Sequence, residues 1–124
     1  MKYLPNIAGA LLGFIFILFS SLILFHLVTP PAMPPGLARD FMTAFGQSGW
    51  LILVKVCEMA GGILVAIPFT RNFGLLVLGP IVINILAYHV LVEGGKDIAI
   101  PVVLGVLALY LLVDARKKFA ALAN

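Results

Sequence analysis

Lys55 and Glu58 lie inside an otherwise apolar run over residues 50–69, and this placement constrains the fold more than any other feature. The run has about the 20 residues that a helix needs to cross the hydrocarbon core of a bilayer. A charge near the centre of such a helix costs about 2.5–3.5 kcal/mol on insertion scales. Because opposite charges at positions i and i+3 share one helical face, they partly neutralise each other. The sequence therefore predicts a membrane helix that carries a polar site.

The composition indicates that the chain is surrounded in part by lipid. Of the 124 residues, 63% are hydrophobic and 10% are charged, whereas soluble domains have about 25% charged residues. The length fits one domain. The net charge of +3 forms no basic stripe with interleaved aromatic residues, which argues against nucleic-acid binding. Cys57 is the only cysteine, so an intramolecular disulfide and a cysteine metal cage are excluded.

Four apolar segments predict four transmembrane helices, at about residues 5–28, 50–69, 73–92 and 98–113. The second, third and fourth helices are joined by short connections, which force neighbouring helices to be antiparallel. We therefore expect an all-α fold, with residues 1–124 forming a single transmembrane domain built as an antiparallel four-helix bundle.

A short amphipathic segment is predicted between the first two helices, at about residues 36–46. Leu37, Phe41 and Phe45 recur there at positions i, i+4 and i+8, opposite Arg39 and Asp40. This pattern is typical of a helix that lies in the membrane interface. We expect it on the outer leaflet or over the end of the bundle.

The basic residues are divided unevenly between the two ends of the predicted helices. One end carries Lys2, Arg71, Arg116, Lys117 and Lys118. The other end carries Arg39 and Lys96, accompanied by acidic residues. Because cytoplasmic loops are enriched in Lys and Arg, this division predicts that both termini are cytoplasmic.

The candidate ligand-binding residues fall in the outer half of the predicted membrane. They are His26, Lys55, Glu58, Asn84, Tyr88 and His89. At the helical rise, Glu58 and Asn84 would each lie about 12 Å below the outer boundary. Gly62 and Ala66 follow on the same stripe as the charged pair, and small residues mark helix–helix contact in lipid. We therefore expect the pair to face the other helices.

Each candidate also has a structural interpretation. The Lys55–Glu58 pair is either a structural ion pair or a pair that handles a ligand or protons. Asn84 is either an interhelical hydrogen-bond partner or a ligand contact. His26 and His89 either form hydrogen bonds at the membrane interface or take part in proton or ligand chemistry. No helix has closely spaced metal ligands, so we expect no metal site, and no pattern of catalytic residues is present.

Several short motifs together resemble the DoxX family of bacterial membrane proteins. They are Lys2-Tyr3-Leu4-Pro5, Pro34-Pro35-Gly36-Leu37-Ala38, the run from Lys55 to Gly62, Arg71, Asn84 and Tyr88-His89. The resemblance covers nearly the whole chain, and its most specific part is Lys-x-x-Glu with the downstream Asn and His. It implies a four-helix bundle in the bacterial inner membrane. Members have been linked to thiosulfate:quinone oxidoreductase, to membrane redox-stress assemblies and, more distantly, to eukaryotic chaperone and cargo-receptor proteins.

These observations lead to three alternative functions. The first is a non-catalytic or accessory subunit whose polar pocket binds a small amphipathic ligand, such as a quinone, or a partner's helix. The alternatives are a small proton-coupled transporter and a structural assembly factor. Any oxidoreductase role needs a partner or a bound cofactor, and the sequence does not identify one beyond the quinone hypothesis. Expected partners are the lipid bilayer and, as open alternatives, a membrane or redox protein or a second copy of the chain.

Overall fold

The computed structural model describes residues 3–123, which contain helices and connecting turns but no strand. In chain order the helices are α1 (Leu4–Leu24), α2 (Leu37–Gln47), α3 (Trp50–Ala66), α4 (Arg71–Ala87), α5 (Ala99–Asp114) and α6 (Arg116–Ala120). A 3-10 turn (Pro68–Thr70) precedes α4, a π-helical segment (Tyr88–Val92) follows it, and a second 3-10 turn (Ala121–Ala123) follows α6. The prediction of an all-α fold is confirmed. Lys2, which entered the topology prediction, lies outside the described residues.

Helix α3 packs against both α1 and α4, and α5 packs against both α4 and α1. Glycines set the closest of these approaches. A β-carbon on Gly13 of α1 would lie 2.5 Å from the carbonyl oxygen of Gly62 of α3. A β-carbon on Gly61 would lie 2.7 Å from the side chain of Leu78 of α4. Small residues at such contacts allow the helix backbones to approach closely.

The outer surface of the helices is strongly apolar. On α1, the exposed face includes Ile7 (61% exposed) and Phe14 (56% exposed), while Leu12 and Phe16 on the opposite face are buried. Large contiguous apolar patches are rare on soluble monomers and mark contact with lipid or other proteins. The arrangement is compatible with a multi-pass membrane protein.

Two helical stretches, Leu4–Leu24 and Pro68–Val92, are long and apolar enough to cross a membrane. The number rises to four if each of two bent helix pairs counts as one span. In these pairs, α2 meets α3 at 80° and α5 meets the segment after it at 74°. A short helix, α2, occupies the segment predicted to be amphipathic.

The first helix ends at Leu24 instead of residue 28. The N–H of His26 donates to the carbonyl of Ile23 (3.2 Å), and the N–H of Leu27 donates to the carbonyl of Leu22 (2.9 Å). With His26 at φ 54°, these two bonds form a Schellman motif, which terminates a helix by satisfying its last carbonyls. The left-handed position usually holds glycine, so the residue types alone did not predict this end.

The second and third predicted spans also have different boundaries. Helix α3 ends at Ala66 because Ile67, which precedes Pro68, is extended at φ −88° and ψ 120°. A residue before proline is disfavoured in the α-helical region. Helix α4 then begins at Arg71, two positions before the predicted start, so Arg71 belongs to the helix and not to a loop.

Candidate functional site

Lys55 and Glu58 form an ion pair on α3, with the Lys55 Nζ 3.0 Å from the Glu58 Oε2. Glu58 is buried, with 4% of its surface exposed, and Gly62 on the same stripe is buried too. The carboxylate therefore faces the neighbouring helices, as its spacing to Gly62 predicted. The Lys55 side chain is 19% exposed, so its ammonium group retains partial access to the surroundings.

The carboxylate of Glu58 retains hydrogen-bonding capacity. Within residues 3–123, its Oε2 is buried and has no hydrogen-bond partner, although it lies at ion-pair distance from Lys55. The contact is therefore a charge pair without the alignment of a hydrogen bond. This oxygen can accept a hydrogen bond from a donor outside the described chain.

The structure does not bring Asn84 to this pair. Leu78 and Val82 form the buried face of α4, and Asn84 lies two residues beyond Val82. At about 100° per residue it is rotated by about 200° from that face, and it is exposed. His26 is exposed as well, in the turn after α1. Asn84 and His26 therefore lie on the exposed surface, whereas the Glu58 carboxylate is buried.

Tyr88 and His89 lie together in a separate cluster at the end of α4. The Nδ1 of His89 is 3.0 Å from the Oε1 of Glu93 and 3.2 Å from the carbonyl oxygen of Lys96. The ring of Tyr88 is 5.2 Å from that of His89 and 5.0 Å from that of Phe41 in α2. These residues form an outer cluster (Phe41, Tyr88, His89 and Glu93). In this cluster, the ring contact between Phe41 and Tyr88 joins α2 to the segment that follows α4.

The backbone that carries Tyr88 and His89, from Tyr88 to Val92, is π-helical. The N–H of Glu93 donates to the carbonyl of Tyr88 at 3.2 Å, which is an i to i+5 hydrogen bond. Single π turns are rare and occur often at functional sites. The sequence analysis did not predict this turn, because a uniformly apolar segment has no periodic signal that separates a π turn from an α turn.

Arg71 is a polar residue whose role the sequence analysis missed. Its Nε donates to the carbonyl oxygen of Val65 and its Nη1 donates to the Oδ1 of Asn6, both at 3.0 Å. Arg71 is 9% exposed. A β-carbon on Gly9 would clash with its guanidinium group. Asn6 and Gly9 share one face of α1 at i and i+3, so the side-chain amide and the space beside Gly9 both meet Arg71.

Two cavities lie at the end of the helices where α4 begins, away from the Lys55–Glu58 pair. The larger one has a volume of about 150 Å³ and its polar lining consists of Arg71, Asn72, Asp114 and Lys118. The smaller one has a volume of about 120 Å³ and shares Asn72 and Lys118 with the first. Neither cavity includes a residue that the sequence analysis proposed as a ligand contact.

The described part of the chain contains no group of three or more His, Cys, Asp or Glu side chains that could hold a metal ion. Comparison of the chain with protein-family models, with curated proteins and with solved structures gives no match.

Proposed function

We propose that this chain is a DoxX-like protein of the bacterial inner membrane, with both termini in the cytoplasm. Helices α1, α3, α4 and α5 are its four spans and form an antiparallel bundle. The packing order of these helices and their apolar outer surface support this arrangement. Helices α3 and α5 have 17 and 16 residues, close to the lower limit of about 17 for a span.

Within this bundle, the Lys55–Glu58 pair binds the polar group of a small amphipathic ligand, such as a quinone, and the chain acts as a non-catalytic accessory subunit. The buried Glu58 Oε2, which lacks a hydrogen-bond partner among residues 3–123, is the observation that carries this proposal. A quinol hydroxyl can donate to this oxygen, and a quinone carbonyl can accept from the Lys55 ammonium group.

A purely structural role explains the pair less well. Both charges lie on α3, so the ion pair does not join one helix to another. Arg71, in contrast, reaches from α4 to Val65 of α3 and Asn6 of α1. Arg71 therefore supplies hydrogen bonds between helices that the Lys55–Glu58 pair does not supply.

Quinol binding tests this proposal. The full chain, purified in mild detergent, is titrated with the reduced forms ubiquinol and menaquinol under anaerobic conditions and examined by native mass spectrometry. We expect Glu58→Gln to weaken quinol binding about tenfold or more, because a hydrogen bond from the quinol hydroxyl to a charged carboxylate contributes about 1.5–3 kcal/mol. Lys96→Gln removes a positive charge from an exposed position and is the matched control that leaves binding unchanged.

Two results would overturn the proposal. One is equal quinol binding, or none, in the wild-type chain and in folded Glu58→Gln. The other is substrate-driven proton flux in liposomes that is lost in Glu58→Gln, which would make the chain a proton-coupled transporter.

A further inference from the structure

A second polar site lies at the opposite end of the bundle, between the start of α4 and the end of α5. Arg71, Asn72, Asp114 and Lys118 line the cavity of about 150 Å³ at this place. Lys118 belongs to the basic run that begins at Arg116. The positive-inside rule places this basic end at the cytoplasmic membrane surface. The cavity therefore lies at the depth of lipid headgroups.

Arg71 lines this cavity and is itself buried, and one of its guanidinium donors has no hydrogen-bond partner among the described residues. Two of its nitrogens donate to Val65 and Asn6, while Nη2 is buried without a hydrogen-bond partner among the described residues. The guanidinium group is always charged and has no acceptor capacity. Its positive charge, together with that of Lys118, favours an anionic group in the cavity that both residues line.

The adjoining cavity is apolar. It has a volume of about 120 Å³ and is lined by Phe73, Leu76, Phe119 and Leu122 together with Asn72 and Lys118. Because Asn72 and Lys118 line both cavities, a charged compartment and an apolar compartment lie side by side. A ligand that fills both must itself carry a charged group next to a hydrocarbon part.

We propose that these paired cavities bind one phospholipid, with its phosphate in the polar compartment and the start of an acyl chain in the apolar one. Phosphate oxygens accept charge-assisted hydrogen bonds from guanidinium and ammonium groups, here those of Arg71 and Lys118, and Asn72 adds an amide donor. Asp114 on the same rim attracts the ammonium of an ethanolamine headgroup. The favoured lipid is therefore a phosphatidylethanolamine.

This inference rests on the membrane placement proposed above, but it does not depend on quinone binding at Glu58. The two sites lie on different parts of the bundle and share no residue. Phospholipid binding that persists in Glu58→Gln would therefore separate a failure of the quinone site from a failure of the phospholipid site.

The test is native mass spectrometry of the full chain in detergent with added lipids of identical acyl chains. The lipids are phosphatidylethanolamine, phosphatidylglycerol and diacylglycerol, which lacks phosphate. We expect Lys118→Gln to weaken phosphatidylethanolamine binding about fivefold, which corresponds to the loss of one lysine contact to a headgroup. Lys117→Gln is the matched control, since Lys117 is exposed and lines neither cavity.

Further measurements test whether the bound phosphate group belongs to a lipid and what each compartment contributes to binding. Inorganic phosphate at about a tenfold molar excess over the lipid should not displace the lipid. Phe73→Ser should weaken the binding of the lipid but not that of inorganic phosphate. Displacement of the lipid by inorganic phosphate would contradict the proposal that the bound phosphate group belongs to a lipid. Equal binding of diacylglycerol, or equal loss in Lys117→Gln and Lys118→Gln, would overturn the phosphate site. A preference for ethanolamine over glycerol that persists in Asp114→Asn would overturn the role of Asp114.

Discussion

Glu58 and Arg71 are both buried, and each retains one polar atom without a hydrogen-bond partner among the described residues. Their partners differ. Glu58 is paired with Lys55 of its own helix, whereas Arg71 is bonded to two neighbouring helices. Removing one member of a buried ion pair leaves an uncompensated charge, which destabilises a protein more than replacing both members does.

We expect Lys55→Met to lower the free energy of unfolding by about 3 kcal/mol, because the Glu58 carboxylate is then buried alone. The double variant Lys55→Met/Glu58→Gln should recover most of this loss. Denaturant unfolding in detergent micelles measures both values, with exposed Lys96→Gln as the control that changes stability by less than about 0.5 kcal/mol. Equal losses in the single and double variants would show that the carboxylate does not depend on Lys55.

At the level of helices, α1 and α3 are held together through glycines whose missing side chains let the backbones meet. Gly13 approaches the Gly62 carbonyl, and Gly62 in turn approaches the Gly13 carbonyl, where a β-carbon would lie 3.1 Å away. Without a hydrophobic driving force between helices in lipid, association depends on such close van der Waals packing. The contact therefore determines how α3, and the charged pair on it, are placed relative to α1.

Gly13→Ala should destabilise the fold by about 1–3 kcal/mol, the usual effect of overpacking a tight contact. Its new methyl group would meet backbone that cannot move aside cheaply. Gly79→Ala in α4 is the matched control, because a β-carbon there has no neighbour within 4 Å. That change should be neutral or stabilising by up to about 1 kcal/mol, since alanine favours helix over glycine. Thermal unfolding of both variants in detergent distinguishes them, and a Gly13→Ala protein as stable as Gly79→Ala would contradict the packing argument.

For the whole molecule, the proposed topology places the Glu93–Asp97 connection outside and the basic run after α5 inside. Helix α1 and the stretch Pro68–Val92 meet the length and apolarity needed to cross a membrane. The two shorter helices proposed as spans, α3 and α5, are assigned to the membrane from the positive-inside rule and from their packing against the longer helices.

Cysteine labelling in intact cells checks this topology. In a Cys57→Ala background, Lys96→Cys should react with a membrane-impermeant maleimide from outside. Lys117→Cys should react only after the membrane is permeabilised, because the basic run is cytoplasmic in the proposed orientation. Both positions are exposed, so burial does not account for a difference between them. Labelling of both positions from the same side would refute the four-span arrangement.

The helical class follows from the apolar segments, but the orientation of each helix about its axis mostly does not. An apolar helix lacks the polar face that indicates which side is exposed. A charged residue indicates the orientation of such a helix. In α3, Glu58 and Gly62 on one stripe indicated which side faces the other helices. Asn84 is a weaker marker, and its side of α4 is exposed. The burial of Arg71 could not be predicted from its position near a loop, since its partners Asn6 and Val65 come from other helices.

Gly9 leaves space for the guanidinium group of Arg71, and this contact limits which residues can replace Gly9 in related chains. A β-carbon on Gly9 would overlap that group, so Gly9 cannot gain a side chain while Arg71 keeps its position. We expect related chains to vary the two sites together, with a larger residue at the first accompanied by a shorter, uncharged one at the second. Such coupled substitution among related chains would be evidence of a contact between two segments that are far apart in the sequence.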